Sequence, residues 1–282
     1  MAYGGWSIDL HAVRGLRNSE EEGATQHLKA YTPKEVFSIP YRCLYSRNIP
    51  NLFLSGRAIS VSHVAFGATR QIAQCALVGQ AVGTAGAMAL SRNVLPRDVM
   101  GFIGELQQTL LKDDCYIPKV KNADPKDLAR GATVTCSSNV TGGQCDNVIN
   151  GWARRIGTDE NAWISDEPAE GQWLCLDLGK PVQAREVRLT FDPDLSHEIK
   201  ISISKGTLSR QIPGIPATLV KDYRLELLKG EKVVDTIEVT DNHLRHRVHT
   251  LSKAVSCDQV KLTVLGTQGD KHSRVFEVRV YE

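Results

Sequence analysis

A run of small residues at helical spacing is the feature of this sequence that most directly indicates chemistry. Gly79, Gly83 and Ala87 recur every four residues, so one side of a helix through them carries almost no side chains. Each glycine costs a helix about 1 kcal/mol relative to alanine, so the pattern indicates close approach by a partner. Tight packing against another backbone segment and contact with a flat ligand both fit it.

The thiols are too scattered to predict a metal site. They include no C-x-x-C pair, the spacing that zinc sites and redox centres use. Cys136 and Cys145 could close a loop in an oxidising compartment, and reduced thiols are the alternative. The seven cysteines lie at positions 43, 75, 115, 136, 145, 175 and 257.

The stretch of residues 243–249 is locally basic. On a strand, Arg245, Arg247 and His249 would share one face, with His246 and Val248 on the other. Metal binding would need a third ligand, which the sequence does not identify. We expect a solvated strand face, with an anionic sugar site or a domain-docking surface as alternatives.

Length and charge limit the classes of protein that fit. The 282 residues suggest two domains at about 150 residues each, and 41% hydrophobic with 23% charged residues is typical of a globular chain. The net charge of +2 leaves no basic excess for a nucleic-acid partner. The apolar run 72–90 contains Gln74, Gln80 and Thr84 and falls short of the roughly 20 residues that span a bilayer, so we expect no membrane span. Residues 1–6 have no signal-peptide pattern.

Hydrophobic periodicity predicts the elements that position these residues in the first half of the chain. It predicts a short buried strand over residues 51–59, a long helix over 70–92 and a second helix over 96–112. Pro96 suits the first turn of that second helix. The polar, irregular residues 119–126 predict a linker.

After the linker, apolar residues alternate with polar ones. A period of two is typical of half-buried strands, and the Gly, Pro, Asp and Asn clusters between them predict an antiparallel sandwich. The alternating sets are Val187, Leu189 and Phe191; Ile199, Ile201 and Ile203; Tyr223, Leu225 and Leu227; Val260, Leu262 and Val264; and Phe276, Val278 and Val280.

A series of short motifs covers the first half. It comprises GGWSIDLH at 4–11, IPYR at 39–42, NLFLSGRAIS at 51–60, SH at 62–63 and GQAVGTA at 79–85, with Arg70 and Cys75 between them. In order and spacing these motifs resemble the C-terminal end of FAD-dependent oxidoreductases of the glutathione-reductase-like fold, some of which are labelled xanthan lyases. The similarity covers roughly residues 1–118.

The resemblance implies FAD as the cofactor and assigns roles to nine residues. His63 and Arg70 would face the substrate side of the flavin, for proton transfer and anion binding. Solvated or capping roles are the alternatives for both. Gln80, Gly83 and Thr84 would lie near the isoalloxazine and ribityl chain. The residues that would line the FAD pocket after the strand are Gly56, Arg57, Ile59 and Ser60.

One departure from that family affects the expected activity. Such enzymes hold the ADP half of FAD with an N-terminal G-x-G-x-x-G segment, and this sequence contains none. We therefore expect a C-terminal fragment that neither binds FAD tightly nor turns over alone. Its exposed apolar surface would be covered by the missing FAD-binding region or by a second copy of the chain.

The second half carries a different signature. NVING at 147–151, Trp163 and QWLCLDLG at 172–179 resemble the coagulation factor 5/8 type C, or discoidin, module, a galactose-binding-like jelly roll. We therefore predict an α+β two-domain chain. Residues 1–118 form a partial FAD-binding α/β segment with helices, 119–126 the linker and 127–282 the antiparallel β-sandwich.

This second resemblance implies two ligand sites. Asn150 and Glu277 would be side-chain ligands of a structural calcium ion, with Thr158 or Asp159 possible additions, although the family often has Asp where this chain has Asn150. A glycan would bind an exposed aromatic residue with polar neighbours. Trp152 with Arg154 and Arg155 is the best candidate, whereas Trp163 and Trp173 are expected in the core.

Three functional hypotheses remain open at this point. The first is the C-terminal part of an FAD-dependent oxidoreductase joined to a discoidin-like module. The second is a carbohydrate-binding or interaction module without enzymatic activity, and the third is a sandwich that only packs on the flavin domain. A periplasmic or secreted location is suggested by the resemblance alone.

Overall fold

Two compact units make up the chain. The computed structural model describes residues 1–10, 35–197, 203–211 and 213–282, and the units are Met1–Lys121 and Asn122–Glu282. His11 and the alternating residues Ile199 and Ile201 lie outside the described residues. Asn122, in the segment expected to be a linker, is buried within the second unit.

Short strands and three α-helices are present in the part of the first unit that the structure describes, residues 1–10 and 35–121. Strand β1 (Ala2–Gly4) pairs antiparallel with β2 (Phe37–Ile39). The helices are α1 (His63–Thr69), α2 (Ile72–Ser91) and α3 (Ile103–Lys112). The 3₁₀ helices Tyr41–Cys43, Gly56–Ala58 and Pro96–Phe102 connect or precede them.

The predicted strand over residues 51–59 is wrong. Phe53 makes an isolated bridge to Tyr45, and a 3₁₀ helix follows at Gly56–Ala58. Gly56 has φ of +60°, in the left-handed region that an extended strand does not use. The residues of this segment instead form a turn and a 3₁₀ helix that packs beside α2.

The helix predicted over residues 70–92 is divided in two. Arg70 ends α1, and Gln71 adopts an extended conformation before α2 begins at Ile72. The hydroxyl of Ser62 accepts a hydrogen bond from the N–H of Ala65 at 3.3 Å and so caps α1. Likewise, the helix predicted over 96–112 is a 3₁₀ turn followed by α3.

Helix α2 buries one side in the core of the first unit. Val78, Ala81 and Ala85 pack there with Leu106 and Leu110 of α3. By length and apolar composition α2 is the one helix among the described residues that could cross a membrane. Because this side belongs to the core, we assign α2 to the globular unit and not to a membrane span.

The second unit is an antiparallel β-sandwich, as predicted. Its strands are β3 (Thr133–Cys136), β4 (Trp163–Ile164), β5 (Trp173–Phe191), β6 (Val220–Lys229), β7 (Lys232–Val239), β8 (His246–Thr267) and β9 (Arg274–Tyr281). The order is β4-β9-β5-β8-β6-β7, with β3 paired to β5. The long strands β5 and β8 shift register between Asp177 and Val182 and between Ala184 and Glu186. Such irregularities bend strands, which lets one strand contribute to both layers.

The alternating residues of β5, β6, β8 and β9 fill the core between the layers. Trp163 is fully buried, as expected, and the rings of Phe191 and Tyr223 lie 5.1 Å apart at their centres. The expectation for Trp173 is wrong, since its side chain is half-buried and Lys261 Nζ lies 5.0 Å from its ring centre. A short helix, α4 (Lys205–Leu208), lies between β5 and β6.

Candidate functional sites

The residues assigned to the flavin by resemblance form two groups that pack together. Gly56 and Arg57 belong to the 3₁₀ helix Gly56–Ala58, which packs beside α2. Ser60 follows it and donates its N–H to the carbonyl of Cys43 at 2.8 Å, while the side chain of Ile59 is buried. Gln80, Gly83 and Thr84 form the second group, on α2.

The small residues of α2 face two different environments. A Cβ at Gly79 would lie 3.8 Å from the hydroxyl of Ser55, and one at Gly86 would lie 3.8 Å from the ring of Phe53. Within the described part of the chain, no atom lies within 4 Å of a Cβ at Gly83. A Cβ at Gly79 or Gly86 would make an ordinary van der Waals contact, so packing within the unit does not require glycine at either position. Gly83 faces open space that a flat ligand or a partner chain could approach.

His63 and Arg70 meet at a small cavity of about 160 Å³. Arg70 Nη2 donates to Asp9 Oδ2 at 2.8 Å and to the carbonyl of Asp9 at 3.3 Å. A Cβ at Gly67 would lie 2.8 Å from that carbonyl, so α1 can approach Asp9 only because residue 67 is glycine. Arg57 Nε donates to the carbonyl of Arg70 at 3.2 Å, which links this cavity to the first flavin group.

These residues fit one side of a flavin site. The left-handed Gly56 and the unobstructed Gly83 leave room for a planar ring near the 3₁₀ helix and α2. The sequence has no G-x-G-x-x-G segment for the ADP half. The fit is therefore to part of an FAD pocket.

A second candidate site is a cavity of about 480 Å³ in the sandwich. It lies where the loop before β4, the loop after β5, the residue Thr218 and the start of β9 meet. Its wall carries guanidinium and carboxylate groups in equal number, which is an arrangement suited to hydroxyl-rich ligands. The lining residues are Arg154, Arg155, Gly157, Glu160, Asp192, Asp194, Leu195, Ser196, Thr218, Arg274 and Phe276.

Asp192 is a half-buried carboxylate of this cavity. Burial raises its pKa, while the N–H of Asp194 at 2.8 Å and the charges of Arg274 and Arg245 act in the opposite direction. Arg274 Nε also donates to Asp270 Oδ2 at 2.9 Å. A hydrogen-bond acceptor and a donor with fixed positions therefore lie beside the ring of Phe276.

Two residues of this cavity were predicted from the sequence. Arg154 and Arg155 line it, and Arg155 lies 3.6 Å from Glu160. Trp152 is not among the lining residues. It is half-buried, and its backbone N–H donates to Asn150 Oδ1 at 2.8 Å. Asp192 and Arg274 were missed, although an Asp-Pro-Asp turn directly after the alternating strand is a signal for a loop at the end of a sandwich.

The expected calcium ligands have other partners. Asn150 Nδ2 donates to Asn161 Oδ1 at 3.0 Å, and buried Glu277 forms an ion pair with Arg279 at 2.8 Å. Among residues 1–10, 35–197, 203–211 and 213–282, no group of three or more His, Cys, Asp or Glu side chains could hold a metal ion. The residues present do not fit a calcium site.

The basic stretch 243–249 does not form the solvated face expected from its sequence. His249 on β8 points into the core, where its Nε2 lies 2.9 Å from the hydroxyl of Tyr223. Val248 is exposed instead. Arg245 Nη1 donates to the carbonyl of Phe191 at 3.1 Å, so this arginine supports the loop beside the cavity.

Comparisons with known proteins address each unit. Residues 1–110 match the family model described as FAD dependent oxidoreductase, which confirms the resemblance of the first unit. No curated protein matches the chain.

Several solved structures are similar to 55–57% of the chain. The lectin domain of lectinolysin complexed with Lewis B antigen is 17% identical, with a TM-score of 0.43 and 99% of that domain covered. The family 32 carbohydrate-binding module of C. perfringens NanJ in complex with galactose is 16% identical, with a TM-score of 0.40 and 98% covered. A Streptococcus pneumoniae fucose binding module, SpX-3, is 13% identical, with a TM-score of 0.42 and 97% covered.

Proposed function

We propose that the chain is the C-terminal part of an FAD-dependent oxidoreductase, carrying one side of the flavin pocket, joined to a sandwich that binds a glycan. The observation that carries the first half is the family match over residues 1–110, in which Gly56 and Gly83 lie on elements that pack together. The alternative is a carbohydrate-binding or interaction module without enzymatic activity.

Bound FAD would accept a hydride from a substrate. Gly56, Arg57, Ile59 and Ser60 would contact it from the 3₁₀ helix, and Gln80, Gly83 and Thr84 from α2. His63 would hold or take up a substrate proton, and Arg70, oriented by Asp9, would bind an anionic group of the substrate. Because the ADP half of the pocket is missing, we propose that the chain alone binds FAD weakly and does not turn over.

A fluorescence titration with FAD, together with an absorption spectrum of the purified chain, tests this proposal. We expect neither stoichiometric yellow flavin nor micromolar binding. Tight binding would mean that the pocket is complete, and Gly83→Leu should then remove the flavin. Gly104→Leu is the matched control, because Gly104 is also a helical glycine with open space around it.

The cavity of the sandwich is the proposed glycan site. Its volume lies within the range of small-ligand pockets, roughly 300–1,000 Å³. Sugar hydroxyls would donate to Asp192 and accept from Arg154 and Arg274. Trp152, the aromatic residue predicted from the sequence to bind the sugar, would contact the glycan from the adjoining loop and not inside the cavity.

A glycan array followed by calorimetry tests the second half. We expect Arg154→Ala and Asp192→Asn each to weaken the binding of any glycan found by at least tenfold, since each removes a charge-assisted hydrogen bond. Arg185→Ala, at an exposed position on β5, is the matched control. Glycan binding that survives both cavity variants would place the site elsewhere, and binding without flavin affinity would favour the non-enzymatic alternative.

A further inference from the structure

A cluster of buried polar side chains lies where β9 meets the first residues of the second unit. Asn122, Asp127, Glu277 and Arg279 are between 1% and 5% exposed. Buried charges are expensive unless they are paired and hydrogen-bonded. This cluster includes Glu277, the side chain for which the resemblance to discoidin modules implies a calcium ion.

Each carboxylate oxygen of the cluster accepts a hydrogen bond from a protein donor. Glu277 Oε2 accepts from Arg279 Nε at 2.8 Å, and Oε1 accepts from Asn122 Nδ2 at 3.2 Å. Asp127 Oδ2 accepts from the same Asn122 amide at 2.8 Å. Asp127 Oδ1 accepts from the N–H groups of Ala129 at 3.2 Å and Val280 at 3.1 Å.

The neutral oxygens of the adjoining loop are engaged in the same way. The carbonyl of Gly151 accepts from the N–H of Asn122 at 2.9 Å, and Asn150 Oδ1 accepts from the N–H of Trp152. Calcium needs 6–8 oxygen ligands at about 2.3–2.6 Å. A bound ion would have to displace these donors and would lie close to the guanidinium charge of Arg279.

We propose that Arg279 supplies from within the chain the positive charge that a calcium ion would otherwise supply, so that the sandwich folds without a metal. Asn122 completes the arrangement by bridging Glu277, Asp127 and the carbonyl of Gly151. The loop that leads from Asn150 to Arg154 and the glycan cavity is therefore held by a metal-independent network. This inference concerns the scaffold and stands whether or not a glycan binds.

Thermal unfolding of the full chain in EDTA and in millimolar CaCl₂ tests the proposal. Tryptophan fluorescence reports mainly on the sandwich, because Trp152, Trp163 and Trp173 of the four tryptophans lie in it. We expect the same Tm in both conditions. A specific calcium site at 100 times its Kd would raise Tm by about 5–10 °C, and such a rise, abolished by EDTA, would overturn the proposal.

The variant Arg279→Met tests the role of the charge itself. It leaves Asp127 and Glu277 without a cation, and we expect Tm to fall by roughly 6–15 °C and to recover partly in calcium. Arg224→Met, which breaks an exposed ion pair with Glu238, should change Tm by no more than about 2 °C. If Arg279→Met does not fold, Arg279→Lys keeps the charge and should fold without a calcium response. An Arg279→Met variant as stable as the parent chain would overturn the proposal.

Discussion

The pair of Tyr223 and His249 is the residue-scale feature with the clearest pH dependence. Burial, followed by the charge of Arg247, lowers the pKa of His249 to about 4, and burial raises the pKa of Tyr223 to about 12. Below pH 6.5 His249 is protonated in the unfolded chain, whereas in the folded chain it stays neutral because of its lowered pKa. The contribution of His249 to stability is therefore complete above pH 6.5 and is lost as the pH falls toward 4.

We predict that this histidine alone destabilises the sandwich by about 3 kcal/mol between pH 7 and pH 4. The carboxyls of Asp127, Asp192 and Glu277 have pKa values that desolvation raises, and they act in the opposite direction as the pH falls. The free energy of unfolding in urea is therefore measured at pH 7 and pH 4 for the parent chain and for His249→Phe. The change between the two pH values is then compared. His243→Gln, at an exposed position, is the control. An identical pH dependence in the parent chain and His249→Phe would contradict this assignment.

At the scale of single elements, α2 has an apolar side that the described residues leave exposed. The side chains of Ile72 and Leu90, near the two ends of α2, are 81% and 84% exposed. Neither the first nor the last turn of α2 contains a charged residue. The exposed residues follow a spacing of three and four, the pattern of a helix–helix seam. If a two-fold axis passed between Gln80 and Gly83, Gln80 of one copy would face Gly83 of the second copy. The exposed set is Ala73, Ala76, Gln80, Gly83, Ala87 and Leu90.

We predict that the isolated chain self-associates through this side of α2. In sedimentation velocity the parent chain should show a concentration-dependent dimer, and Leu90→Glu should shift it to monomer. Tm should be nearly unchanged, because the side chain of Leu90 is already exposed to solvent. Met100→Glu replaces an exposed apolar residue outside α2 and should leave the dimer intact. A parent chain that stays monomeric at every concentration would contradict the prediction.

Element by element, the sequence predicted structure where burial follows a local period. β5, β6, β8 and β9 were predicted because their core residues alternate, as Val187 and Leu189 do. The prediction of a strand over 51–59 was wrong because Gly56 adopts a left-handed conformation that interrupts an extended segment. The glycan cavity was found in part, since Asp192 and Arg274 meet only through the pairing of β5 with β9, where Phe191 lies opposite Val275. That register depends on the whole sheet and has no local signal.

At the scale of the whole molecule, the residue at which the sandwich begins determines which polar contacts stabilise it. Composition predicted a linker over 119–126, because those residues are polar and irregular. Buried Asn122 nevertheless hydrogen-bonds Asp127, Glu277 and the carbonyl of Gly151. Irregular sequence therefore does not separate a true linker from a segment whose polar groups close a buried network.

We predict that a protein of residues 122–282 is more stable than one of residues 127–282. Removal of Asn122 leaves two buried carboxylates with one donor fewer each, which costs about 3 kcal/mol or more. For a unit of this size Tm should fall by roughly 6–12 °C. Asn122→Ala within the protein of residues 122–282 should reproduce most of that fall in Tm. A protein of residues 119–282 should have the same Tm as the protein of residues 122–282. Equal Tm values for 122–282 and 127–282 would instead mean that the sandwich begins at residue 127, as composition alone suggests, and that Asn122 contributes nothing to holding Glu277.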